Sequence, residues 1–396
     1  MFYLYFYFII TLLFNYIHLV QCLLSGTSSY KSYYANTKLY YAGSNDFFYI
    51  DLTNLPLNEN TVIDSSKWIQ LNYSIILIRP FLGGKANDKF FFSSFAFVGN
   101  SNEVFLETFD TTLNKWDKDI NFTGKPSKYF ESFDDWVSDK NTGKVYSLQQ
   151  GDVIDIFDTV NLVWTNSSLV PQVYQDYTRL LRPTYDPPQV ILPNGQILYF
   201  PSEIPSFFSQ DSNATMNSIL TYNIVANSWQ PINTTGQAPS IRSGYTAVLT
   251  SDGRIIIYGG MSNNLAATPS IVVLNTSTYE WSTPTEANPI GPLASHTSTI
   301  VDNYMVTSFG IIVTKKNLDR GPNKNVYKLD ISNPSTYKWS ILSTFNDNST
   351  KPSKSPFPSP STSPHTSPSN NLTTAIGVTT SILLIVHFIF WWVVII

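Results

Sequence analysis

The sequence predicts an all-β fold, a six-bladed β-propeller, and three observations point to it. Six of the nine tryptophans, Trp68, Trp116, Trp164, Trp229, Trp281 and Trp339, recur about fifty to sixty-five residues apart, a spacing that suits a repeated four-stranded unit. Four of them follow an Asp or Asn by six positions, at Asp110, Asp158, Asn223 and Asn275. The residue before each Asp or Asn is large and apolar: Phe109, Phe157, Tyr222 and Leu274. One match of this kind is weak evidence; four in register are strong. A pair of β-sandwiches with surface tryptophans is the competing fold, and it gives no reason for the fixed spacing. Aromatic residues make up 15% of the chain and charged residues 13%, which suits pleated, half-buried surfaces.

Each unit reads as strands separated by turns, most clearly the fifth. Arg242–Val248 reads as its first strand, and Ser251-Asp252-Gly253 as a hairpin turn. Arg254–Gly260 is an unbroken apolar strand ending in two glycines, Ile271–Asn275 is the third strand, and Tyr279-Glu280-Trp281 opens the fourth. The other units repeat this with drift. Unit one has Lys38–Gly43, Phe47–Leu52 and Trp68, with Ser25–Tyr33 as the natural first strand. Unit two has Phe95–Gly99, Val104–Asp110 and Trp116, and unit three Val145–Leu148, Val153–Asp158 and Trp164. Unit four has Gly195–Phe200, Ile219–Asn223 and Trp229, and unit six Met305–Gly310, Val326–Asp330 and Trp339.

The residue types fit blades. A strand buried on both faces is apolar without alternation. A following glycine admits close approach by the next blade. Asp or Asn at the end of a strand closes a turn on its own backbone. Tryptophan on the outer strand supplies apolar area to the contact between blades.

On these residues, above all Pro239–Tyr245, Gly259-Gly260 and Trp281 of unit five, the chain resembles the kelch-repeat propellers. The resemblance spans about residues 26–342. Units three and four depart from it, because Gln149-Gln150-Gly151 and Pro201-Ser202 stand where the double glycine belongs. It also implies kinship with the central domain of galactose oxidase, whose family holds copper with histidines and tyrosines and crosslinks a tyrosine to cysteine. This chain has four histidines, and only His296 lies in the repeats; the repeats contain no cysteine. One imidazole does not make the nitrogen-rich site that copper needs. The resemblance therefore implies fold without that activity, and no cofactor is expected. His296 is expected to be structural.

Both ends of the chain are apolar and lie outside the repeats. Residues 1–22 read as a secretory signal with cleavage after Cys22, the only cysteine; an uncleaved signal anchor is the alternative. The propeller is expected over 23–345. Residues 346–374 form a Pro/Ser/Thr-rich stalk, a composition that cannot bury a core. Residues 375–396 are apolar and long enough to span a bilayer. A single-span helix and a lipid-anchor signal both fit, and no Lys or Arg follows the apolar stretch to favour the first. Eight Asn-x-Ser/Thr sequons, at Asn72, Asn121, Asn166, Asn213, Asn233, Asn275, Asn348 and Asn371, agree with a secretory route.

A net charge of −4 without basic runs argues against nucleic-acid binding. No Ser/His/Asp order, phosphate loop or metal-ligand cluster is visible. Glu131, Asp134 and Asp135 cluster beside Trp136, where a turn between blades explains them equally well. Long inserts at Leu55–Ser66, Ser202–Asn217 and Ile311–Asn325 offer recognition loops on a rigid scaffold. Arg179, Arg182 and Arg242 precede inner strands and are candidates for an anionic or carbohydrate ligand. The expectation is a membrane-tethered extracellular module that binds protein or glycan. A carbohydrate-active or oxidase-like surface enzyme and a purely structural surface glycoprotein are the alternatives.

Overall fold

Short runs of aromatic and β-branched residues, broken by tight turns, become four-stranded antiparallel sheets. The computed structural model describes residues 30–354, apart from 44–45, 56, 59, 72–79, 99–100, 119, 127–135, 150–152, 175–180, 182–186, 203–214, 264, 314–322 and 346–352. Residues 1–22, read as a signal, most of residues 346–374, read as a stalk, and the apolar stretch 375–396 lie outside the described residues. Among those described, no helix is long and apolar enough to cross a membrane.

Blade 1 comprises β1 (Lys31–Ala35), β2 (Lys38–Ala42), β3 (Phe47–Asp51) and β4 (Ile69–Leu71). Blade 2 comprises β5 (Phe81–Gly83), β6 (Lys89–Val98), β7 (Ser101–Asp110) and β8 (Lys115–Asp117). Blade 3 comprises β9 (Val137–Asp139), β10 (Lys144–Gln149), β11 (Val153–Asp158) and β12 (Val163–Asn166). Blade 4 comprises β13 (Gln189–Ile191), β14 (Gln196–Tyr199), β15 (Ser218–Asn223) and β16 (Ser228–Asn233). A short β17 (Thr235–Gly236) leads to blade 5: β18 (Ser243–Leu249), β19 (Arg254–Ser262), β20 (Leu265–Ala266), β21 (Ile271–Asn275) and β22 (Glu280–Ser282). Then β23 (Thr285–Ala287) and β24 (Leu293–Ala294) lead to blade 6: β25 (Thr297–Val301), β26 (Tyr304–Ser308), β27 (Ile311–Ile312), β28 (Asn325–Asp330) and β29 (Thr336–Thr344). The last strand described is β30 (Ser353–Lys354).

These strands match the sequence reading with two shifts. The inner strand of blade 1 is Lys31–Ala35, a few residues later than expected. In blade 2, β6 and β7 pair from Lys89↔Asp110 to Val98↔Ser101, so β6 starts six residues before the expected Phe95. Ser93-Ser94 interrupts the apolar run and reads as a boundary, yet Ser93 is buried inside the strand.

The core divides into six apolar clusters, one between each pair of neighbouring blades. Successive side chains of a strand point to opposite neighbours. On β19, Ile255 and Ile257 join the cluster with blade 4, while Ile256 and Tyr258 join that with blade 6. On β2, Tyr40 faces blade 2 and Tyr41 faces blade 6. Both faces are therefore apolar, which is why the runs do not alternate with polar residues. Gly259, with φ +69, lies against blade 6, where a Cβ would meet the Leu293 carbonyl and the His296 ring.

The sixth cluster closes the ring, joining Leu39, Tyr41 and Trp68 of blade 1 to Val301, Val306 and Leu342 of blade 6. The Ser32 amide donates to Thr297 Oγ1 at 2.8 Å between the two inner strands, and the Lys328 amine donates to the Thr61 carbonyl. The connections repeat one further device. The linker leaving blade 4 places β17 parallel to β22, the outer strand of blade 5, and β23 lies likewise against β29 of blade 6. The segment after blade 6 places β30 parallel to β4 of blade 1. The chain end thus treats blade 1 as the next blade.

Candidate functional site

Antiparallel strands send the connections of every blade to two ends of the ring. At one end lie the turns between first and second, and between third and fourth, strands. These are tight. Asp110, Asp158 and Asn223 each accept two backbone N–H bonds from the turn that follows, and Asn275 accepts the Ser277 N–H and hydroxyl. The residue four positions on turns to positive φ in all four: Asn114, Leu162, Asn227 and Tyr279. The insert Leu55–Ser66 of blade 1 is the exception at this end.

At the other end lie the connections between second and third strands and between blades, including the inserts Ser202–Asn217 and Ile311–Asn325. Two of these connections are fixed by backbone pairing. In blade 5, β20 folds back on β19 through Met261↔Ala266 and Ser262↔Leu265. In blade 6, β27 pairs with β24 through Leu293↔Ile312 and Ala294↔Ile311. Each presents one large apolar side chain to solvent, Leu265 at 49% and Ile312 at 41% exposure. Sequence reading missed both. A single apolar residue in a loop carries no periodicity, and only the strand pairing that holds it gives it meaning.

The predicted arginines are placed differently. Arg179 and Arg182 lie outside the described residues. Arg242 directly precedes β18, as expected, but it does not face the mouth of the ring: it is fully buried. Its Nη1 donates to the Gly259 carbonyl at 3.2 Å and the Pro269 carbonyl at 3.1 Å, and its Nε to the Ser240 carbonyl at 3.4 Å. Nη2 has no partner. Burial without a carboxylate draws its pKa down to about 10. Arg242 therefore ties the entry of β18 to the double-glycine strand, a structural use of the guanidinium.

His296 is buried against Tyr258, with Nε2 3.0 Å from Thr246 Oγ1 on blade 5 and Nδ1 without a partner among the described residues. Burial holds its pKa down at about 3, so the ring is neutral. Glu131, Asp134 and Asp135 lie outside the described residues. Among the described residues, no group of three or more His, Cys, Asp or Glu side chains is placed to hold a metal. Of the sequons, Asn121, Asn166, Asn233 and Asn275 are exposed, and Asn72, Asn213, Asn348 and Asn371 lie outside the described residues.

Residues 206–365 match the family model described as the KLHDC2/KLHL20/DRC7 Kelch-repeats domain. In the solved structures, the chain is similar to a protein titled "Structure of YjhT". Identity is 10% and the TM-score 0.50, over 80% of this chain and 97% of that one. At that identity the likeness concerns fold alone. None of the curated proteins matches the chain. The six blades, six interblade clusters and repeated Trp register agree with that family match. The chain is a six-bladed β-propeller whose residues 206–365 match a kelch-repeat family model.

Proposed function

We propose that this propeller binds a protein outside the cell and is held at the cell surface by its apolar C-terminal stretch. The observation that carries the binding face is the pair Leu265 and Ile312. Both are large, apolar and exposed, and both sit on short strands, β20 paired with β19 of its own blade and β27 with the entry strand β24. Apolar anchors on rigid backbone lose little entropy on association and are the usual centre of a protein interface. The inserts Ser202–Asn217 and Ile311–Asn325 join second to third strands and so leave the ring at the same end.

The module binds without turnover in this reading. His296 is neutral, interior and committed to Thr246, and the repeats lack the second imidazole and the cysteine of the copper oxidases. The signal-like residues 1–22, the sequons and the Pro/Ser/Thr-rich residues 346–374 support secretion and display on a stalk.

The test is a binding screen of residues 23–355, secreted from eukaryotic cells, against extracellular proteins and glycans, with metal analysis of the same sample. A saturable protein ligand and no stoichiometric metal support the reading. Stoichiometric copper or turnover of a sugar overturns it, and the absence of any saturable ligand favours a structural glycoprotein.

A further inference from the structure

Exposed apolar residues scattered singly over a protein are ordinary. Three in this chain recur at one kind of turn. The connections between third and fourth strands of blades 2, 3 and 4 each raise one: Leu113, Val160 and Val225, all exposed. They stand two or three positions after the turn-closing Asp110, Asp158 and Asn223. The same positions hold Ser277 and Thr278 in blade 5, and Ser332 and Asn333 in blade 6. The apolar tips therefore form an arc on three consecutive blades at one end of the ring.

The tips are fixed in place. In each turn two backbone amides donate to the Asp or Asn. Neighbouring turns are bonded to one another as well. In blade 2 the Thr111 amide and hydroxyl donate to the Asp88 carbonyl, at 2.9 and 2.6 Å. Between blades 2 and 3 the Gly84 amide donates to Thr159 Oγ1 at 2.6 Å, and the Thr159 amide to the Gly143 carbonyl at 3.1 Å. In blade 4 the Ile224 amide donates to the Gly195 carbonyl at 3.0 Å. This platform also carries Lys85 and Lys140, exposed on the turns between first and second strands of blades 2 and 3. Asp110, Asp139 and Asp158 on the same turns accept from backbone amides. Lys115, beside Leu113, is paired with Asp117 at 2.8 Å.

A protein partner needs a contiguous packed patch, and single tips standing among polar turns do not make one. A bilayer deforms around each tip. Apolar side chains that enter the boundary between headgroups and acyl chains, with lysines beside them, are the composition of interfacial membrane binding. The sequence puts a bilayer within reach. Residues 355–374 are Pro-rich and lead to the apolar residues 375–396, and such a linker spans roughly 60 Å when extended. Tethering raises the local concentration, so weak docking suffices.

We propose that Leu113, Val160 and Val225, with Lys85 and Lys140, dock this end of the propeller on a phospholipid bilayer, the one that residues 375–396 enter. The three side chains reach the headgroup–acyl boundary, and the two amines reach headgroup phosphates. The ring tilts onto blades 2–4. Leu265 and Ile312, at the other end of blades 5 and 6, stay turned away from the lipid. This rests on the surface-tether reading above.

The strands and apolar clusters of the ring lie before residue 356, in one compact unit, so the secreted chain 23–355 keeps the fold. It is sedimented with phosphatidylcholine vesicles, with and without phosphatidylserine. The expected result is binding to both, tighter with phosphatidylserine. L113D/V160D/V225D should weaken binding to both by at least about tenfold. K85E/K140E should remove the gain from phosphatidylserine, and Thr278→Asp, on the equivalent turn of blade 5, should change nothing. Undiminished binding by the triple variant overturns the proposal. So does self-association without lipid that the triple variant abolishes, which would give the tips to a second copy of the chain. Carbonate extraction of cells expressing the full chain separates this proposal from the reading beneath it. A full chain that resists extraction while 23–355 stays free of both vesicles overturns the docking alone. A full chain that carbonate strips away, with 23–355 free of both vesicles, overturns the tether with it.

Discussion

At the scale of the residue, the repeated tryptophan does two jobs. It fills the cluster with the preceding blade; in blades 4, 5 and 6 its indole N–H also holds the linker that arrives from that blade, and in blade 1 it reaches the end of β29, the outer strand of blade 6. Trp281 donates to Thr234 Oγ1 at 2.9 Å, Trp229 to the Ser168 carbonyl at 3.2 Å, Trp339 to Glu286 Oε2 at 2.8 Å and Trp68 to Ser343 Oγ at 3.4 Å. Trp281→Phe keeps most of the apolar area and removes the donor, so it should cost about 1–3 kcal/mol in denaturant unfolding. The turn residue is just as specific. Asp158 Oδ1 accepts from the Val160 and Asn161 amides, at 3.0 and 2.8 Å. Blades 4 and 5 place Asn in the same role. Asp158→Asn should therefore change stability by less than about 0.5 kcal/mol, while Asp158→Ala should cost roughly 1 kcal/mol, because it leaves the turn amides without an acceptor. His296 sets a pH dependence. Its folded pKa is held at about 3, below the ordinary 6.5, because burial disfavours the charged ring. Below pH 6.5 the unfolded chain takes up a proton that the folded chain does not. Stability from this group is complete above 6.5 and falls by up to about 1.4 kcal/mol per pH unit as the pH drops toward 3. Unfolding of His296→Asn across that window should show a shallower slope.

At the scale of the element, the linkers make the ring cooperative. Each of β17 and β23 belongs to one blade by sequence and to the next by pairing, and β30 extends that rule across the chain ends. A chain ending at residue 350 lacks β30 and should lose protection at the edge of β4. In amide exchange, Ile69–Leu71 should open faster while β22 and β29, still covered by their own linkers, keep their protection. Equal acceleration in all three strands would mean that β30 supports the whole ring instead of one edge.

At the scale of the whole molecule, the fold was legible because its signals repeat. A strand apolar on both faces, a turn-closing Asp or Asn and a tryptophan opposite its neighbour, as in Phe157↔Trp164 and Tyr222↔Trp229, recur in register. Ring closure was not legible, since Ser353-Lys354 has no strand-like composition and pairs only because β4 offers an open edge. The site was the least legible part. Arg242 reads as a surface cation near a strand start, and three backbone carbonyls hold it inside. Leu265 and Ile312 read as ordinary loop residues, and the pairings of β20 with β19 and of β27 with β24 give them a fixed place.

The most direct measurement is the affinity of the secreted propeller for its protein ligand after Leu265→Asp with Ile312→Asp, compared with Val160→Asp with Val225→Asp. The second pair, 45% and 86% exposed, lies on tight turns at the opposite end of the ring. The account predicts that the first pair weakens binding by more than about 2 kcal/mol, some thirtyfold, with no change in folding, and that the second pair leaves it intact. Binding lost only with the second pair would place the interface at the opposite end and contradict it.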